Sequence, residues 1–325
     1  MHDPIVLNER QIRDLVEPEQ ALVAIREVLV GQAMGCVTQP PPFHLGLPGN
    51  VGEIHGMGAY IDDSNYVVVK MATGWPGNTE HGTSPSGGLS VVFDASSGQV
   101  SHLLMDNGWL TDYGTGIAGA LATHALARSD AKNIAIVGTG VQARQQARSL
   151  LLLREPIQVN VWGRTSSHCQ ALVDELSEMH SWEVAIAPSV EAAVVDADIV
   201  ITATMSRSPL IQGDWLKPGA HVTAVGADSP GKQELDVSVF NRAELVAADD
   251  PAECLRRGDL QHTADASVKV VSIGELLAGD TVGRSSDMDI TVADLIGMGA
   301  QDAAIATLVI EHHLTGASAR FASRY

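Results

Sequence analysis

In "HVTAVGADSPGKQEL" (residues 221–235) the first charge after an apolar, strand-like run is Asp228. A carboxylate there can exchange a proton with a bound molecule or simply serve a turn, and position alone leaves both open. A second charge stands in "YVVVKMATGWPGN", where period-two alternation puts Tyr66, Val68 and Lys70 on one strand face. A lysine ending an apolar strand needs either an anionic partner or a way to solvent. The third pattern is Gly138-x-Gly140-x-x-Ala143 in "IAIVGTGVQARQQARSL", with Thr139, Val141 and Gln142 in the same turn. Glycines there allow a tight turn and close backbone approach to a pyrophosphate. The helix start adds free N–H groups and the positive end of its dipole. A preceding apolar strand, a following helix and five further strands distinguish this pattern from a chance pair of glycines.

Together these residues suit nicotinamide chemistry. Hydride exchange with a carbon bearing nitrogen or oxygen obliges the protein to move one proton. A carboxylate can deprotonate an ammonium ion or hold an iminium cation, and to do so near neutrality its pKa would have to rise through burial. Doubly wound sheets bind ligands beyond the carboxyl ends of their strands, which here means residues 138–140, Ala203, Thr204, Val225, Gly226 and Asp228. The second strand ends in "VNVWGRTSS", where Arg164, Thr165 and Ser166 stand in place of an acidic ribose ligand. A cation with hydroxyls suits a 2′-phosphate, so NADP(H) is preferred and NAD(H) remains possible. The twelve histidines include no HExxH pair, and His312 and His313 are neighbours that cannot share a helix face, so no metal is expected. His55 in "GEIHGMGAY" is either an extra acid or base, or a structural histidine.

These residues need elements to hold them. From about residue 130 apolar runs alternate with helical segments, predicting strands at 134–137, 158–162, 184–187, 198–203, 221–225 and 244–248. Such runs imply a parallel sheet covered on both faces, an α/β doubly wound Rossmann-type arrangement. The first third predicts a helix within 17–35 and an antiparallel meander built from "GEIHGMGAYI", "YVVVKMAT", "GLSVVFDA" and "QVSHLLMD". A last helix, "GAQDAAIATLVIEHHL", is expected to pack back on that amino-terminal unit. The expected division is 1–125 with 302–325 as an α+β unit, and 126–301 as the nucleotide-binding unit.

The chain has 325 residues, 45% of them hydrophobic and 18% charged, which fits about two globular domains. A formal charge of −19 repels phosphate backbones and anionic lipid, so neither nucleic acid nor membrane is an expected partner. No secretory signal is visible at the start, and three widely spaced cysteines suggest free thiols in the cytoplasm.

The combination of "KMATGWPGN", "GTGVQA" and "AVGADSPGK", with "GMGAQDAAIA" near the end, resembles the ornithine cyclodeaminase/mu-crystallin family over nearly the whole chain. "DNGWLTD" and "DLIGMGAQDAAIA" are most similar to its ectoine-utilisation branch. The resemblance implies a homodimer whose Rossmann domain is inserted into an α+β dimerisation and substrate domain. It implies Asp228 as catalytic acid/base, Lys70 as a substrate contact, and Thr115, Gln142 and Lys232 beside the cofactor. Implied activities are imine or ketimine reduction, amine or amino-acid oxidation, and redox-neutral cyclodeamination that releases ammonia. A non-catalytic ligand-binding protein of the mu-crystallin kind is the further alternative. Pro42 and Gly114 stand where the family carries arginines that clamp a substrate carboxylate, and Leu295-Ile296-Gly297 replaces its late S-x-G. These substrate-pocket departures point to a substrate without an α-carboxylate, to a different mode of entry, or to loss of catalysis.

Overall fold

The computed structural model describes residues 3–84, 86–263 and 268–316. The chain divides into two units, one of Met1–Gly114 with Met298–Tyr325 and one of Thr115–Gly297. The borders therefore fall at 114/115 and 297/298 rather than at 125/126 and 301/302, and 317–325 lies outside the described residues.

In the first unit a seven-stranded sheet runs Ile5–Asn8, Val100–Met105, Ser86–Asp94, Tyr66–Gly74, Glu53–Ile61 and Val37–Thr38, with Phe43–Gly46 also pairing with Glu53–Ile61. The four meander strands are antiparallel as their alternation and turn clusters predict, while Ile5–Asn8 joins parallel to Val100–Met105. Helix Gly299–Thr315 packs on Glu53–Ile61, Tyr66–Gly74 and helix Pro18–Ala33. Ala59, Val68, Val92, Ile25, Leu29 and Ile305 are buried there.

The second unit holds an all-parallel eight-stranded sheet in the order Glu183–Ile186, Gln158–Trp162, Asn133–Val137, Ile199–Thr202, His221–Ala224, Thr291–Asp294, Leu245–Ala248 and Val270–Ser272. All six predicted strands are present. The two unpredicted ones are short, and Thr291–Asp294 enters between the fifth and sixth. Its four residues are all buried, yet Thr and Asp at its ends hide it from any search for apolar runs. Helix Trp109–Leu126 also lacks a sequence signal because Gly114, Gly116 and Gly119 lower its intrinsic propensity. Packing explains one of them: a Cβ on Gly116 would lie 2.9 Å from the Gln145 carbonyl oxygen, so only glycine lets the helices approach this closely.

Candidate functional site

In the second unit, strand Asn133–Val137 ends at Gly138, whose φ of +125° belongs to the region glycine favours. A Cβ there would collide with the Ala203 carbonyl oxygen of the neighbouring loop. Gly140 is the N-cap of helix Val141–Leu150, has no side-chain cap bond, and has open space where a Cβ would stand. The start of that helix carries the positive end of its dipole, the usual provision for an anion. Arg144 holds the turn from behind, donating to the Thr139 and Gly140 carbonyls and pairing with Glu175 at 2.7 Å. Gly138, Thr139, Gly140, Arg164, Thr165, His168, Ala203 and Thr204 line a cleft of about 280 Å³. Arg164 is exposed and has no partner among the described residues. Val225 is buried, Val141 is exposed, and the Thr115 carbonyl accepts from Gln146 Nε2.

Asp228 lies four residues past strand His221–Ala224. Its Oδ1 accepts from Lys232 Nζ at 2.7 Å and from Ser229 Oγ at 2.9 Å, while Oδ2 has no partner among the described residues. The side chain is 47% exposed. The carboxylate is thus half-exposed rather than buried. Behind the loop, Gln261 Nε2 donates to the Ser229 and Lys232 carbonyls, and its Oε1 accepts from the Gly231 N–H.

Glu234 escaped notice in the sequence. It is fully buried, and its carboxylate accepts from Thr202 Oγ1 at 2.9 Å, Thr204 N at 2.6 Å and Gly226 N at 2.8 Å. One side chain thus ties together the loops that follow two adjacent strands. Burial and the neighbouring Asp259 carboxylate push its pKa up to about 7, against the lowering effect of those three bonds. Only the glutamate in "KQEL" was visible, and nothing local marks its partners.

In the first unit the Lys70 side chain is 8% exposed. Its Nζ pairs with Asp302 Oδ2 at 2.7 Å and donates to Thr111 Oγ1 at 3.0 Å, and Thr111 in turn donates to Asp302 Oδ1 at 2.7 Å. The anionic partner that the strand end required is thus a side chain from the first turn of helix Gly299–Thr315. Two of the three ammonium hydrogens are engaged among the described residues, leaving one donor. Asp106 lies in the same field, where burial and Asp302 raise its pKa against Lys70 and the Leu110 N–H.

The remaining predicted positions part company. Gly114 is buried, with Ile305 Cδ1 3.2 Å from where its Cβ would be. Pro42 directly precedes strand Phe43–Gly46 and is half-buried. His55 shares the Lys70 face of the sheet, since Met57 pairs with Lys70 and His55 stands two residues away. It contacts Glu53, and its ring is tilted by 34° against that of His44, a grouping made by strand pairing rather than by helical spacing.

Residues 2–317 match the model of the ornithine cyclodeaminase/mu-crystallin family. An uncharacterized cyclodeaminase of Sinorhizobium fredii is 36% identical over 316 residues, 94% of this chain and 95% of that one. The iminosuccinate reductase of Paracoccus denitrificans is 30% identical over 312 residues, 94% of this chain and 96% of that one. Among solved structures, an archaeal alanine dehydrogenase dimer with bound NAD superposes with a TM-score of 0.88 at 27% identity, over 96% of this chain and 97% of that one.

Proposed function

Because the chain belongs to the ornithine cyclodeaminase/mu-crystallin family, we propose that it is an NAD(P)(H)-dependent oxidoreductase acting at a C–N bond of a small imine, amine or amino acid. The observation that carries this reading is the state of Asp228: one oxygen is held by Lys232 and Ser229, and the other is free of partners among the described residues. Relatives named as an iminosuccinate reductase and an alanine dehydrogenase support the reaction class.

The cleft's chemistry fits a dinucleotide, since Gly140 leaves open the space that a Cβ would fill and the helix start has no side-chain cap. A bound nicotinamide supplies or takes up the hydride. Residues 138–142 hold the pyrophosphate by backbone N–H groups, with Thr115, Ala203, Thr204, Val225, Gly226 and Lys232 completing the cofactor site. Arg164, with Thr165, accepts a 2′-phosphate, so NADP(H) is preferred. Asp228 Oδ2 delivers the proton to the imine nitrogen in reduction and removes it in oxidation. Lys232 holds Oδ1, so Oδ2 is the oxygen that exchanges the proton. The remaining N–H of Lys70 orients the substrate.

The unit of Met1–Gly114 and Met298–Tyr325 is assigned dimerisation and substrate binding. Exposed Ile5, Val6, Phe43 and Leu45 on its strands support a homodimer. The free thiols of Cys36, Cys169 and Cys254 support a cytoplasmic setting, and no helix among the described residues is long and apolar enough to cross a membrane.

The test is oxidation of reduced cofactor against a panel of cyclic and acyclic imines, with and without a carboxylate. Steady consumption of NADPH supports net reduction. A redox-neutral cyclodeaminase is the second reading, favoured by the name of the Sinorhizobium fredii relative. Ammonia release from diamino acids with no net cofactor change would replace the first reading by the second.

A further inference from the structure

Three metal-type donors converge at one end of the sheet in the first unit. His44 and His55 are directly opposite each other across strands Phe43–Gly46 and Glu53–Ile61, and Glu53 stands two residues from His55 on the same face. Both imidazole Nε2 atoms point at a single oxygen, Glu53 Oε2, at 3.1 Å from His44 and 3.4 Å from His55. The rings lie 4.6 Å apart between centroids, and the three donor atoms all fall within 4.8 Å of one another.

The neighbours leave room for this arrangement. In register with Glu53 are Gly46 on one side and Gly74 on the other, so neither residue directly opposite it carries a side chain. A Cβ at Gly74 would stand 3.3 Å from Glu53 Cγ. The three side chains are 53%, 42% and 29% exposed for His44, Glu53 and His55, which leaves the convergence point open to solvent.

We propose that His44, Glu53 and His55 form a binding site for a zinc-type divalent cation. Imidazole nitrogen with carboxylate oxygen is a borderline donor set that zinc accepts. With bonds of about 2.05 Å at the tetrahedral angle, zinc ligands lie about 3.3 Å from one another. Two edges of that triangle, at 3.1 and 3.4 Å, already have this length. Closing the third takes side-chain rotation of the exposed His44. Three protein ligands leave a fourth position for water or another small oxygen ligand. The site stands on these residues alone and does not depend on the reaction assigned above.

The test is isothermal titration of chelator-treated, full-length protein with zinc chloride, with cobalt(II) as a spectroscopic probe of ligand geometry. Wild type and a His180→Ala control bind one zinc ion per chain, and cobalt gives the intense visible bands of a four-coordinate site. His44→Ala, His55→Ala and Glu53→Gln weaken zinc by at least the roughly 10–100-fold that even an outer partner's loss costs. Circular dichroism and cofactor binding verify that the variants are folded. Absence of saturable zinc binding in the wild type overturns the proposal even if a variant misfolds. An isotherm unchanged in both histidine variants overturns it equally.

Discussion

Each unit contains a lysine–aspartate pair with a 2.7 Å contact, and the two differ in what surrounds them. Lys70 and Asp302 are 8% and 4% exposed, and Thr111 bridges them. Lys232 is 13% exposed, but Asp228 is 47% exposed and keeps one oxygen free of partners among the described residues. A buried pair is committed: its charges have lost their water, and removing either partner strands the other. A half-exposed carboxylate with an unengaged oxygen can change partners at little cost. The same two residue types therefore make a buried pair in one unit and a half-exposed pair in the other.

Breaking the buried pair gives the largest expected effect. Lys70→Met leaves Asp302 unpaired and lowers stability by about 3–5 kcal/mol, whereas Lys232→Met at the exposed pair costs at most about 1 kcal/mol. Denaturant melts of the two variants read the difference directly. The double variant Lys70→Met, Asp302→Leu recovers most of the loss if desolvated charge is its cause. Equal losses at both pairs would erase the contrast.

Glu234 sharpens the comparison from within the second unit. Its folded pKa of about 7 exceeds the ordinary 4.5, so its proton is held more tightly in the native state. The resulting stability is fully present below pH 4.5 and is lost as pH rises through 7, an effect of at most about 3 kcal/mol. Glu234→Gln lacks this titration, so the stability advantage of wild type over the variant shrinks as pH rises across that window. A constant difference from pH 4.5 to 8 would contradict the assignment. The variant also places an amide donor against the Thr202, Thr204 and Gly226 donors, and its cofactor affinity falls because the two loops lose their tie.

A smaller effect belongs to the cleft rim. Arg164→Ala weakens NADPH by about ten- to a hundredfold, the value of a charged hydrogen bond of roughly 1.5–3 kcal/mol, and leaves NADH nearly unchanged. Equal losses for both cofactors, measured by fluorescence titration, would remove the 2′-phosphate role.

Local pattern carried much of this molecule. The alternation in "YVVVKMAT" and the strand–glycine–helix run around Gly138 are short-range features, and both elements stand where the sequence predicts. What escaped depends on distant partners. Lys70 required an anion, but nothing near it names Asp302, which arrives from the last helix. His44 and His55 become neighbours only through strand register. Thr291–Asp294 is a strand because it fills a gap between two others, not because its own residues insist on it. The half-exposure of Asp228 was not legible for a related reason: exposure of a loop side chain is set by what packs around it, which period and composition do not encode.

The central claim is that Asp228 moves the proton. Steady-state turnover of Asp228→Asn, with cofactor affinity measured in the same preparation, tests it most directly. A fall in kcat of about 10²–10⁴-fold with an unchanged cofactor Kd is the predicted result. Turnover equal to wild type in a folded, cofactor-binding variant would contradict it.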